Sequence, residues 1–181
     1  MPAVGPESTK IPFDLQPRLE GERIVLRPLE PHDFDALYAA ARDPLIWELH
    51  PEPTRHEHAV FRRYFDGAIA SGGAFAIIDR ATGRIIGSSR YCNLLPGEVE
   101  IGWTFLERAY WGGTCNRELK RLMIEHALRF VPRVVFVVGE RNYRSRRALE
   151  KIGARLVGPM GTPERETDGP RVLYEITHTP E

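Results

Sequence analysis

The sequence predicts an α/β protein built on one mixed sheet, and three observations carry that prediction. Apolar runs at 74–78 and 85–91 flank Ala81-Thr82-Gly83, the pattern of an antiparallel hairpin. Residues 99–105 alternate, with Val99, Ile101, Trp103 and Phe105 against Glu100, Gly102 and Thr104, as a strand with one covered face does. An amphipathic run at 117–130 puts Leu119, Leu122, Met123, Ala127 and Phe130 on one stripe and leads into the near-continuous apolar run 134–138. A helix followed by a strand covered on both faces implies a crossover into parallel or central pairing.

The remaining elements follow in order. Residues 1–18 carry Pro2, Gly5, Pro6, Pro12 and Pro17 without apolar periodicity and read as a flexible or draped leader, leaving 19–181 as one domain. Residues 22–26 alternate into a strand that Pro28 ends, and 33–42 form a helix with Phe34, Leu37, Tyr38 and Ala41 on one face, closed by Pro44. Thr54-Arg55-His56-Glu57 has the form of a capping box, and Val60, Phe61, Tyr64, Phe65 and Ala68 continue at helical spacing until Gly72 and Gly73. Beyond 134–138, a helix at 142–152 stops at Gly153, and strands follow at 154–157 and 172–176. The predicted order is β-α-α-β-β-β-α-β-α-β-β.

Composition excludes several functions. The chain has 181 residues, enough for one substantial core, and its 25 basic and 25 acidic residues balance, so no overall field draws it to nucleic acid or anionic lipid. Cys92 and Cys115 make neither a metal spacing nor a disulfide framework, residues 1–10 hold no apolar export segment, and no run approaches the roughly 18 apolar residues of a membrane span. The expectation is a reduced, cytoplasmic protein. His50, His56 and His58 with Glu57 suggest a metal site, but His56 and His58 are two apart on a predicted helix and point to different faces, so no metal is expected.

The most informative stretch is Tyr110-Trp111-Gly112-Gly113-Thr114-Cys115-Asn116, a glycine-bearing turn that feeds a helix N-terminus. First-turn amides have no partner inside a helix and the helix dipole is positive there, so the turn suits a phosphate. No Gly-Lys-Ser/Thr follows the glycines, which removes the nucleotide loop of Walker type. Cys115 at a helix N-terminus invites a thiol nucleophile, since the helix dipole lowers a thiol's pKa there.

The element order, this turn and a second motif together resemble the GNAT superfamily of acyl-CoA-dependent N-acyltransferases over residues 19–176. Within it the chain is similar to the branch of ribosomal-protein N-terminal acetyltransferases, through Leu26-Arg27-Pro28-Leu29, His32-Asp33-Phe34, Asp43-Pro44 and Glu100-Ile101-Gly102-Trp103. The family's phosphate loop, Gln/Arg-x-x-Gly-x-Gly/Ala, falls on Trp111 to Asn116 with Trp111, Thr114 and Asn116 at its three defined places. Thr114 stands where glycine is usual, and a β-branched residue avoids positive φ, so it must already lie in the helix's first turn. The second motif, Asn142-Tyr143-Arg144-Ser145 ending in Glu150-Lys151-Ile152-Gly153, resembles the family's Asn-x-x-Ala/Ser…Glu-Lys-x-Gly-Phe segment. The tyrosine that many members carry seven residues after the asparagine is replaced by Leu149.

The resemblance implies a mostly antiparallel central sheet with one splayed parallel strand pair and flanking helices. It implies acetyl-CoA as cosubstrate and an amine acceptor of unidentified kind, with pairing through the C-terminal strands as a route to a homodimer. Trp103, Phe105 and Leu106 would line the pantetheine arm. Trp111, Gly112, Gly113, Thr114, Cys115, Asn116 and Arg117 would take the pyrophosphate, and Asn142 and Ser145 would complete the cofactor site. Ser145 is the candidate acid for the leaving thiolate, with Tyr143 as its substitute. Arg144, Arg146 and Arg147 read as a solvated helix face or a 3′-phosphate contact.

Acyl transfer to an amine needs a base, oxyanion donors and a route for protons. Glu100 is the expected base, on the polar side of its strand, with Glu98 on the same face as rival. Taking a proton from a lysine-like ammonium (~10.4) onto a carboxylate (~4.3) is uphill by about 6 pH units, roughly 8 kcal/mol, whereas an α-amine (~7.8) reduces this to roughly 5 kcal/mol. α-Amines or weakly basic amines are therefore the easier acceptors. The competing class is an inactive acyl-CoA-binding module, which Leu149 and Thr114 keep open.

Overall fold

The computed structural model describes residues 12–160 and 169–178. Its strands are β1 (Leu19–Glu20), β2 (Ile24–Pro28), β3 (Ala74–Asp79), β4 (Ile85–Leu95), β5 (Glu98–Leu106), β6 (Arg133–Gly139), β7 (Arg155–Pro159) and β8 (Arg171–Thr177). Its helices are α1 (Phe34–Ala41), α2 (His58–Ser71), α3 (Cys115–Ala127) and α4 (Tyr143–Lys151). The strands form one sheet in the order β1-β2-β3-β4-β5-β6-β8-β7, antiparallel throughout except for the parallel pair β5 and β6. The fold class expected from the sequence is the one observed.

Each face of the sheet has its own apolar cluster. Leu119, Met123 and Leu149 of α3 and α4 pack with Ile101, Val134 and Phe136, while Phe34, Leu37, Phe61 and Phe65 of α1 and α2 pack with Trp47, Ala76 and Phe105. Strand alternation assigns residues to these faces, and one bulge reassigns them. Ser88 pairs with Phe105 but Arg90 pairs with Gly102, so Trp103 and Thr104 together stand opposite Ser89. Trp103 takes φ +56° there. The regular alternation expected through Phe105 is thereby corrected: an extra residue shifts the strand's faces, sending Ile101 to the α3 side and Phe105 to the α1/α2 side, and leaving Trp103 48% exposed.

β5 and β6 pair only at Glu98 with Arg133, Val99 with Val134 and Glu100 with Val135. β5 then runs on to Leu106 and β6 to Gly139, paired with β4 and β8 on their outer sides. The two strands thus part just past Glu100 and form a wedge in the middle of the sheet.

Two local expectations need correction. Thr54 does not cap α2: its hydroxyl donates to Glu52, residues 54–57 form a turn closed by Glu57 N–H to the Thr54 carbonyl at 2.9 Å, and the helix starts at His58 with Glu57 as extended N-cap. β1 was also unforeseen, since two residues carry no periodicity. It turns into β2 at Gly21, where the buried Glu118 carboxylate accepts from the Glu22 and Arg23 amides and occupies the space a Cβ would need. Of the expected leader, 1–11 lie outside the described residues. Phe13 stacks on Phe130 at 5.1 Å between ring centroids, and Gln16 Nε2 donates to the Ala74 carbonyl at 2.8 Å. Among the described residues no helix is long and apolar enough to cross a membrane.

Candidate active site

The turn before α3 has the geometry an anion site requires. Gly112 takes φ +71°, and Thr114 sits at the N-cap with φ −85° and ψ −15°, right-handed and unstrained as its β-branch demands. Its carbonyl receives the first helical bond, from Glu118 N–H at 2.9 Å, while its hydroxyl makes no capping bond. The amides of Cys115, Asn116 and Arg117 therefore point out of the helix end. Trp111 fixes the turn by donating Nε1–H to the Leu106 carbonyl at 3.0 Å, and the Arg144 guanidinium lies 4.0 Å from the centroid of its ring. Cys115 is buried, and burial, with Glu118 beside it, raises its thiol pKa. That opposes a role as nucleophile.

Glu100 stands at the last pairing before the wedge opens. Burial raises its carboxyl pKa against the opposing hydrogen bond from Asn93 Nδ2, 2.5 Å from Oε2. Cys92, its partner across the β4 pairing, has its thiol pushed up to about 12 by burial and by Glu100. Gly102 lies on the same face, and a Cβ there would come within 3.0 Å of Glu100 Oε1. Among the described residues, the non-glycine positions with positive φ are Asn93 and Trp103, one on either side of Glu100's surroundings. Backbone held in sparsely populated regions gathers where a site needs it. Glu98 is different, since its carboxylate is engaged by Arg133 Nη1 at 2.6 Å.

The second motif opens α4, the helix that follows β6. Asn142 is buried at the N-cap of α4, and its Oδ1 accepts from Ser145 N–H at 3.2 Å. Ser145 is partly exposed and Tyr143 is 59% exposed, whereas Leu149 is packed in the α3-side core. Arg146 bonds Tyr174 Oη and the Glu140 carbonyl, and Arg144 Nη2 reaches across to the Ile46 carbonyl at 3.3 Å. Of the residues expected along the pantetheine arm, Phe105 and Leu106 have side chains buried in the two cores, so only their backbone is left for a cofactor.

Sequence reasoning missed the α1/α2 side of the cleft. Arg55 and Arg90 both lie over Tyr64 and Trp103, with Arg90 4.5 Å from the Trp103 ring centroid, and Tyr64 Oη donates to the Trp103 carbonyl at 2.8 Å. His50 is held neutral at about 4 by burial and by Arg55 and Arg144. No periodicity marks this cluster, because it joins a turn, a helix and a bulge. Lys120 was missed as well, though a signal existed: it falls three and seven residues before Met123 and Ala127, inside the apolar stripe. Glu30, His32 and Asp33 form the acid and histidine group within ligating reach of one another, but Arg27 engages both Asp33 oxygens at 2.7 Å.

A family model, the acetyltransferase (GNAT) domain, matches residues 23–155. No curated protein matches the chain. Among solved structures, a GCN5-related N-acetyltransferase from Brucella melitensis superposes with TM-score 0.77 at 24% identity, covering 92% of this chain and 80% of that one. A GNAT-family acetyltransferase from Bacillus anthracis gives TM-score 0.75 at 18% identity, covering 88% and 98%. Mycobacterium smegmatis RimJ in complex with CoA-disulfide gives 0.67 at 20%, covering 86% and 82%. With that family model matched over most of its length, the chain belongs to the GNAT acetyltransferases.

Proposed function

We propose that the protein transfers acetyl from acetyl-CoA directly to a primary amine, with Glu100 as the base acting through water. The observation that carries this is a half-buried carboxylate with no cationic partner in hydrogen-bond contact, held by Asn93 where β5 and β6 separate. The amides of 115–117 and the Thr114 hydroxyl would take the pyrophosphate, and the pantetheine arm would lie in the wedge against β5 backbone that β6 no longer pairs. Backbone N–H groups there would hold the oxyanion, and the Ser145 hydroxyl would donate toward the sulfur.

The raised Glu100 pKa bears on the acceptor. Each pH unit by which burial lifts the carboxyl removes about 1.4 kcal/mol from the uphill proton transfer. The reduction is the same for every amine, so the preference for an α-amine, of a protein N-terminus or a small molecule, over a lysine side chain rests on the α-amine's own lower pKa. The cation-rich aromatic wall of Arg55, Arg90, Tyr64 and Trp103 beside Glu100 would receive the rest of the acceptor. The test is incubation with acetyl-CoA and a panel of amines, reading free CoA thiol. Amine-dependent thiol release, faster for α-amines than for lysine side chains, is expected; tight acetyl-CoA binding with no release for any amine would sink the reading.

A further inference from the structure

Burying an ammonium without a countercharge is costly, and a chain that does so has usually traded stability for something else. Lys120, in the second turn of α3, is 7% exposed. Its Nζ donates to Thr104 Oγ1 at 2.8 Å, that oxygen lies 2.7 Å from Ser89 Oγ, and Nζ sits 5.4 Å from the Phe136 ring centroid. Thr104 belongs to β5 beyond its last pairing with β6, and Phe136 is the first β6 residue past that pairing. Nζ therefore stands between the two strands where they have parted, on the α3 side of the wedge.

The surroundings offer it no carboxylate. From β4 Ser89 borders it, from β5 Thr104 and from β6 Phe136, while Cys92, on the Glu100 face of β4, acts on it only through its field. Glu118 of its own helix is bound to the amides of Glu22 and Arg23, and Glu100 projects from the opposite face of β5 to Ile101 and Val99. Burial, slightly opposed by Cys92, holds the lysine at about 7.

We propose that Lys120 is the catalytic acid of the transfer, donating its Nζ proton to the CoA sulfur as the tetrahedral intermediate collapses. This rests on the acyl-transfer reading. The amine nitrogen bonds to the thioester carbon and its proton passes through water to Glu100. The carbon–sulfur bond then breaks, its electron pair goes to sulfur, and sulfur takes the Nζ proton. Lys120 is left as a neutral amine in an apolar site that suits it, and both groups return to their starting states by exchange with solvent. The Ser145 hydroxyl would offer that sulfur a hydrogen bond but is far too weak an acid to give up its proton, and Leu149 has none to give. An ammonium titrating near neutrality is matched to within about 2 pH units of a thiol near 8.5, so in contact with the sulfur it both steadies the thiolate and lets the proton cross at little cost.

The test begins with bound CoA and no acceptor. The thiol of CoA is titrated by the ultraviolet absorbance of its thiolate in the wild-type protein and in Lys120→Met. The wild type should ionise bound thiol at least tenfold more readily than free CoA, and the variant should lose that gain while binding desulfo-CoA unchanged. In turnover, Lys120→Met should lose about 10²-fold in kcat, together with the fall in kcat at alkaline pH that an essential acid imposes. A merely structural lysine would change thermal stability without moving the thiol. If Lys120→Met does not fold, Thr104→Val keeps the ammonium but frees it, and should diminish both effects; unchanged thiol ionisation and rate would overturn the proposal. A thiol shift lost in Lys120→Met with no amine turned over by the wild type would remove the acyl-transfer reading and leave the sulfur contact standing. Normal amine turnover with no thiol shift would remove Lys120 alone.

Discussion

Glu98 and Glu100 lie two residues apart on one face of β5, yet the closed end of the wedge treats its charges differently from the open end. Where the strands still pair, Arg133 bridges Glu98 and Glu175 at 2.6 Å each, with Arg155 also on Glu175. Burial would raise Glu175, but the two guanidiniums outweigh it and hold its pKa low. Where the strands part, Glu100 is pushed up and Lys120 down, both toward neutrality, because burial there outweighs what opposes it: the Asn93 bond and the more distant Arg171 at Glu100, Cys92 at Lys120. Paired charges fasten a sheet; separated, desolvated ones can exchange protons near neutral pH. This contrast is what supports the proposal of Glu100, and not Glu98, as the base.

The contrast would break most visibly at Glu100. Glu100→Gln should lower kcat by about 10²–10⁴-fold while leaving the Kd for desulfo-CoA unchanged, as measured by thiol release and calorimetry. In the wild type, activity should rise as pH climbs through the raised carboxyl pKa, and that acid limb should vanish in the variant. Glu98→Gln should do neither. Weakened cofactor binding with normal turnover in Glu100→Gln would reverse the assignment.

Stability should respond in the opposite sense at the two ends. Arg133→Met strands two carboxylates and should cost about 2–3 kcal/mol in urea unfolding, less than a fully buried pair because Arg133 is partly exposed, with kcat unaffected. Glu175 has a lowered folded pKa, so its contribution is present above the unfolded value of 4.5 and is lost as pH falls through the folded one. Acid unfolding should therefore begin at higher pH in Arg133→Met. Lys120→Met should instead gain about 1–4 kcal/mol, since an apolar group replaces a buried charge. Its folded pKa is lowered, so the wild-type penalty is largest below about 7 and fades as pH rises to 10.5. The gain should shrink with it.

A change at the turn before α3 should leave both ends of the wedge alone. Asn116→Asp puts a carboxylate beside the exposed amides of the α3 N-terminus and should weaken acetyl-CoA binding by about tenfold, roughly 1.4 kcal/mol, without altering kcat at saturation. An unchanged Kd would move the pyrophosphate elsewhere.

How much of this was legible depended on whether neighbours in space were neighbours in sequence. The crossover through α3, the hairpin of β3 and β4 and the Asn142 cap are local patterns, and 22–26, 117–130 and 142–152 fell within a few residues of the observed elements. The Thr54 capping box failed because a nearby carboxylate, Glu52, took the hydroxyl. Trp103 failed because a bulge is a relation between two strands, and a single-strand alternation cannot record an extra residue. The Arg55, Arg90 and Trp103 cluster and the Lys120–Thr104 bond join positions 13 to 48 apart in the chain, so their chemistry becomes visible only once the sheet brings them together.

Gly102 offers the finest test, because it alters the open end without removing any charge. A Cβ at Gly102 would lie 3.0 Å from Glu100 Oε1 and 3.7 Å from Cys92 Sγ, so Gly102→Ala must move the carboxylate by a few tenths of an ångström or press on its bond to Asn93. The backbone is not strained by the change, since Gly102 is not among the positive-φ glycines. Displacement of that size should cost kcat roughly tenfold or less, against about 10² for a full ångström. Stability should scarcely change, because the carboxylate end is free to shift. The informative readout is the acid limb of the pH profile: a Cβ that desolvates Glu100 further should move the limb to higher pH. A slower enzyme with an unmoved limb would mean that Gly102 serves the passage of substrate and not the state of the base.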